Sequence, residues 1–124
     1  ANLIAAAWTI MAAAKRGCIV NVSTLGTHDP FPGFFAYAAA KASVNLMARS
    51  CAKEGRAVGV RAFSVAPGAV ETPMLRANFN EARVPRSAAL APEAVAALIV
   101  DCIAGKHDAR IGDTIYISAQ GGIK

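Results

Sequence analysis

Long apolar runs, aromatic residues and clustered cysteines are all scarce in this 124-residue chain, and each scarcity removes a class of function. No apolar run reaches the ~18 residues that a bilayer-spanning helix requires, so no membrane partner is expected. Ala1–Ala14 is apolar and Ala-rich, but no basic segment precedes it and it breaks at Lys15-Arg16, so it reads as a packed helix rather than a signal peptide. Cys18, Cys51 and Cys102 are far apart, with no Cys-x-x-Cys pair. That spacing excludes a disulfide framework or a zinc site and fits a reducing, cytoplasmic setting. Cys18, inside an apolar stretch, reads as a small hydrophobe. Aromatics make up 6% of the chain and its basic residues are scattered, so the net charge of +5 does not mark a nucleic-acid surface.

Apolar periodicity carries most of the structural information. A hydrophobic content of 55% fits strands covered on both faces. The pattern predicts a helix over Asn2–Lys15, a strand over Cys18–Val22, a loop over Ser23–Phe35 and a helix over Ala36–Glu54. A strand over Val58–Val65 follows, then a loop through Pro73 and an irregular or short helical stretch to Leu90. A helix over Pro92–Ala104 and a strand over Thr114–Ser118 complete the chain. Pro92-Glu93 is a good helix entry and Gly105 a good exit, and Gly55 is expected to end the Ala36–Glu54 helix. Strands alternating with helices of this length imply a parallel sheet in one α/β domain. The second helix is apolar around much of its circumference (Ala38, Ala39, Ala40, Ala42, Val44, Leu46, Met47, Ala48), which predicts burial.

The chemistry-bearing pair is Tyr37 and Lys41. Four residues apart on a helix, phenol and ammonium share one face. A cation ~4 Å away favours phenolate by about 1 kcal/mol in water and about 4 kcal/mol at an effective dielectric of 20. The pair is therefore a useful general acid–base only where something dry covers it. Thirteen residues earlier, Thr24 follows Ser23 just past a β-branched apolar run. That is where open α/β sheets bind ligands, outside the carboxyl ends of their strands. Downstream, Pro67-Gly68 makes a turn whose backbone can approach a ligand closely.

Taken together, IVNVST (Ile19–Thr24), PGFFAYAAAK (Pro32–Lys41) and GVRAFSVAPGAVETPM (Gly59–Met74) resemble the short-chain dehydrogenase/reductase family. The resemblance implies the C-terminal part of a doubly wound Rossmann-type parallel sheet, with three strands and flanking helices. It implies an NAD(P)-dependent oxidoreductase in which Tyr37 exchanges a proton with a carbonyl or alcohol oxygen. Lys41 would bind the nicotinamide ribose and assist Tyr37, and Pro67, Gly68, Val70 and Thr72 would seat the nicotinamide end of NAD or NADP. Counting from Asn21, or back from Tyr37, puts Thr24 at the catalytic hydroxyl position. Ser23 is the alternate, reached only with an extra residue in the His28–Pro32 loop. Asn2 resembles the family's catalytic asparagine but stands about six residues too close to the strand.

No Gly-x-Gly-x-x-Gly or Gly-x-x-x-Gly-x-Gly phosphate loop opens a helix here, so residues 1–124 are expected to be the second half of the fold. In the family the Tyr helix and the one before it pack on another subunit, which implies a homodimer or homotetramer. Phe31, Phe34 and Phe35, with His28 and Asp29, would either line an apolar substrate pocket or anchor the loop. Arg76, Arg83 and Arg86 would either meet an anionic substrate or remain solvated. A hydrolase triad built on His28-Asp29 is disfavoured, because the nucleophile elbow Gly-x-Ser-x-Gly is absent. The alternative to an enzyme is a catalytically inactive remnant serving as a dimerisation or interaction module.

Overall fold

The computed structural model describes residues 1–124. Helix α1 (Asn2–Ala13), strand β1 (Gly17–Val22), helix α2 (Phe35–Gly55), strand β2 (Val60–Pro67) and short helix α3 (Pro73–Asn78) are followed by helix α4 (Pro92–Ile103) and strands β3 (Thr114–Ser118) and β4 (Gly122–Ile123). They form one sheet in the order β1-β2-β3-β4. β2 pairs parallel to β1 and β3, and only β4 is antiparallel. The expected three strands are thus four. After Ser118 the chain turns back at Gly122 (φ 61), and Tyr116 and Lys124 exchange both backbone hydrogen bonds. A two-residue strand with no apolar alternation leaves no periodic signal to read.

Side-chain alternation along β2 explains the layers. Phe63 and Val65 face α4, in a core with Leu90, Leu98, Cys102, Ile115 and Ile117. Val60 and Ala62 face the other way, with Ile19, Cys51 and Ala52, against α1 and α2. Helices on both faces make the sheet doubly wound. The next residue of that second parity, Ser64, is polar and fully buried, and its hydroxyl donates to the Val44 carbonyl in α2 at 3.4 Å. Its register partner Asn21 donates to the same carbonyl at 3.3 Å. Two adjacent strands thus hold one point on α2, the helix that carries Tyr37 and Lys41.

Several expectations change. Gly55 is the last residue of α2, as expected, but in right-handed backbone (φ −70) rather than as a left-handed cap; a side chain there would run into the Val60 carbonyl. The reversal falls at Gly59 (φ 71), which pushes the start of β2 from Val58 to Val60. α1 closes at Ala13, and Lys15 takes the left-handed conformation (φ 51). α2 is not buried all round. Only Ala48, Cys51, Ala52 and Gly55 are buried, while Ala39, Ala40, Ala42 and Leu46 (61% exposed) face outward. α1 likewise buries no residue fully and exposes Leu3 and Ile10. Cys18, expected on a buried strand, is half-buried because β1 is the sheet's outer strand.

Candidate active site

At the carboxyl end of β1 two neighbouring hydroxyls part company. Ser23 is buried, its N–H donating to the Val65 carbonyl at 2.7 Å and its hydroxyl to the Lys41 carbonyl at 3.3 Å. Thr24 stays partly exposed, and its Oγ1 accepts from the Gly26 N–H at 3.2 Å, capping the turn Leu25–Thr27. A hydroxyl that accepts in this way keeps its own proton free to donate. Lys41, one helical turn after Tyr37, donates from Nζ to the Val22 carbonyl at 2.9 Å. Together these bonds lock the first turns of α2 onto the end of β1. Tyr37 is 45% exposed, with its ring edge-on to Phe34 at 6.2 Å. No part of these 124 residues dries the phenol.

The second wall follows β2. Gly68 donates to Ile117 at 2.8 Å, and the stretch Ala69–Glu71 pairs with Leu90 through bonds of 2.8 and 2.9 Å. That pairing turns the Val70 N–H away from Leu90, and it has no partner within the chain. Thr72 accepts from the Leu75 N–H at 3.1 Å and donates to the Val70 carbonyl at 3.3 Å, capping α3 ahead of Pro73. The end of β2 thus offers a free amide donor at Val70 and, at Gly68, backbone with no side chain of its own. Asn2 is the first residue of α1 and is exposed.

The remaining candidates divide clearly. Arg76 holds Glu71 with two hydrogen bonds and also donates to the Val84 carbonyl at 2.8 Å. Arg86 pairs with Glu81 at 2.8 Å and lies 3.8 Å from Glu71. These hydrogen bonds from Arg76 hold the Glu71 carboxyl below its ordinary range. Arg83 lies over the Phe79 ring at 5.7 Å. Phe31, Phe34 and Phe79 form a chain of rings, with centroids 4.7 Å apart for the first pair and 5.9 Å for the second. Phe35, 84% exposed, stands outside it. His28 packs on Tyr116 at 5.4 Å and bonds to neither Ser23 nor Thr24, so no hydrolase triad forms.

Sequence reading missed a second tier of residues. Thr27 Oγ1 donates to the Thr24 carbonyl at 2.9 Å, accepts from Asn45 Nδ2 at 2.9 Å and sits 3.4 Å from the Tyr116 hydroxyl. These groups fix the turn that presents Thr24. Phe79 was missed too; it lies 42 residues beyond Tyr37, and only the return of the 72–90 segment brings it close. A cleft of about 750 Å³ lies at the amino ends of the strands, among Arg49, Lys53, Arg56, Arg61 and Asp108. None of the four candidate catalytic residues lines it. It is an open charged groove. Burial raises the thiols of Cys18, Cys51 and Cys102, as suits packing groups. No group of three metal-ligating side chains comes together, and no helix is long and apolar enough to cross a membrane.

The sequence pattern of the short chain dehydrogenase family matches residues 1–83, and the chain belongs to that family. Among curated relatives, it is 31% identical over 109 residues to a 3beta-hydroxysteroid dehydrogenase of Eggerthella lenta, covering 82% of this chain and 42% of that protein. It is 42% identical over 64 residues to a cyclopentanol dehydrogenase of a Comamonas species, covering 52% of this chain and 26% of that protein. Among solved structures, a short chain dehydrogenase/reductase family protein superposes with a TM-score of 0.84 at 37% identity, covering 96% of this chain and 51% of the other. A gluconate 5-dehydrogenase from Burkholderia cenocepacia, solved with NADP and tartrate, shares the fold alone, at a TM-score of 0.86 and 21% identity. This chain spans about half the length of those structures and less of the curated relatives.

Proposed function

We propose that residues 1–124 are the catalytic, C-terminal half of an NAD(P)-dependent short-chain dehydrogenase/reductase that interconverts a carbonyl and an alcohol. Family membership and the fold support the class. The observation that carries the mechanism is the tie between α2 and the end of β1. Lys41 Nζ bonds to Val22 and Ser23 bonds to Lys41, which supports reading the Tyr37 turn of the helix and Thr24 as one site.

In the reductive direction Tyr37 gives its proton to the substrate oxygen as alkoxide character develops there. The free proton of Thr24 donates to the same oxygen and holds it in line. Lys41 supplies the positive charge that favours the phenolate left behind. Ser23 is assigned a positioning part, because its proton is committed to the Lys41 carbonyl. A bound nicotinamide dinucleotide supplies the hydride, or takes it in the reverse direction. Pro67, Gly68, the Val70 N–H, Thr72 and Lys41 are the residues proposed to hold its nicotinamide end.

Tyr37→Phe removes only the hydroxyl. It is expected to lower kcat/KM at least about 10³-fold in the natural polypeptide carrying this chain, within the range of general acid–base catalysis, with an unchanged far-ultraviolet spectrum. Retention of more than a tenth of the activity would remove Tyr37 from the mechanism.

One feature favours the second reading, an inactive interaction module: Leu3, Ile10 and Leu46 leave apolar surface open on the same layer. Both readings accommodate a homo-oligomer through α1 and α2. They part on NADH or NADPH titration of the natural polypeptide, where an enhanced nicotinamide fluorescence supports the enzyme and its absence the module.

A further inference from the structure

The ring chain beside Tyr37 is the feature that the mechanism leaves unused. Phe34, at the N-cap of α2, meets the Tyr37 ring edge-on at 6.2 Å and stacks on Phe79 at 5.9 Å. Phe31 continues the row at 4.7 Å from Phe34 and packs over Gly26, next to the Thr24 methyl group. These rings come from two segments, the loop before α2 and the stretch after α3, so their meeting builds a wall beside the phenol. The wall does not close over the reaction centre, for Tyr37 remains half exposed.

Two of the three arginines around the wall are engaged by carboxylates. Arg76 and Arg86 are tied to Glu71 and Glu81. Arg83 has no carboxylate partner; its guanidinium lies over Phe79, which makes no ring contact with Tyr37. Beside Tyr37 the wall presents the Phe34 ring, which offers an anion no hydrogen-bond donor. An apolar ring would meet flat partners of its own kind.

Resting on the oxidoreductase reading above, we infer that the substrate is an uncharged alicyclic or aromatic ketone, or its secondary alcohol, whose ring lies against Phe34 and Phe79 while its oxygen meets Tyr37 and Thr24.

The test compares cyclohexanone, acetone and 4-oxocyclohexanecarboxylate on the natural polypeptide with NADH and NADPH. Acetone removes the ring and the carboxylate adds the charge. Cyclohexanone is expected to exceed both in kcat/KM by about tenfold or more, the ratio that one good aromatic contact supports. Phe34→Ala should lower the cyclohexanone-to-acetone ratio about tenfold, while Phe34→Tyr should keep it within about twofold. Because the ratio is internal to each variant, a partly unfolded preparation does not distort it. Saturation transfer from aromatic protein protons to cyclohexanone reads the same contact without turnover, and should be lost in Phe34→Ala. Turnover that favours the carboxylate, or a ratio indifferent to Phe34, overturns the substrate class and leaves the oxidoreductase standing. No Tyr37-dependent turnover of any ketone overturns the oxidoreductase, and absence of saturation transfer then overturns the aromatic site as well.

Discussion

Thr24 and Ser23 show how one residue's place decides its chemistry. Each has a hydroxyl, and burial and the direction of its hydrogen bonds separate them. Thr24→Ala should cut kcat/KM by about 10²-fold or more, the loss typical of removing one donor at a developing oxyanion, with little change in melting temperature. Ser23→Ala should do the reverse: a loss of about 1 kcal/mol in stability from the missing buried bond, and a smaller loss of rate. Equal rate losses in the two variants would contradict the assignment.

Glu71 offers a separate measurement on pH. Hydrogen bonds from Arg76 lower its folded carboxyl below the ordinary value near 4.5. Its contribution is therefore complete above that value and disappears as pH falls through the lower folded one. Thermal melts of Glu71→Gln should show less loss between pH 6 and pH 3 than the parent does; parallel melting curves would show that the pair contributes nothing.

At the level of elements, most of this protein could be read in advance, and the failures share a physical cause. β3 was read at its true bounds because Thr114–Ser118 is short, β-branched and isolated by turns. The end of α2 was read to within one residue, but the start of β2 was set too early, at Val58, because a glycine can serve two purposes. Gly55 is there for close packing on Val60, and Gly59 for its left-handed backbone; sequence alone displays only the missing side chain. The distinction is measurable. Gly59→Ala would add both positive-φ strain and a clash with the Lys15 carbonyl, and should cost about 2–4 kcal/mol in urea unfolding. Gly105→Ala, at φ 86 but with its nearest neighbour at 3.4 Å, should cost only about 1 kcal/mol. Similar costs at both sites would refute the packing argument. Tyr37, Lys41, Pro67 and Gly68 were legible as motif spacing. Phe79 and the Asn45–Thr27 bond were not, because each depends on segments that only tertiary folding brings together.

For the molecule as a whole, the uneven covering of the sheet is the main property. α4 seals one face with a continuous core, whereas on the other face α1 and α2 keep Leu3, Ile10 and Leu46 in the open. Those side chains, with the small Ala39 and Ala42, suit close helix-to-helix contact with a second copy. Leu46→Glu should convert an assembled species to a smaller one in sedimentation velocity; a parent that already sediments as one chain would rule out this surface as the interface.

β1 combines two roles that usually belong to different strands. It is the outer member of the sheet, with one row of peptide groups unpaired, and it delivers Ser23 and Thr24 while its last carbonyl holds Lys41. A strand docking alongside Gly17–Val22 would therefore lie against the segment that leads into both hydroxyls and anchors the Lys41 ammonium.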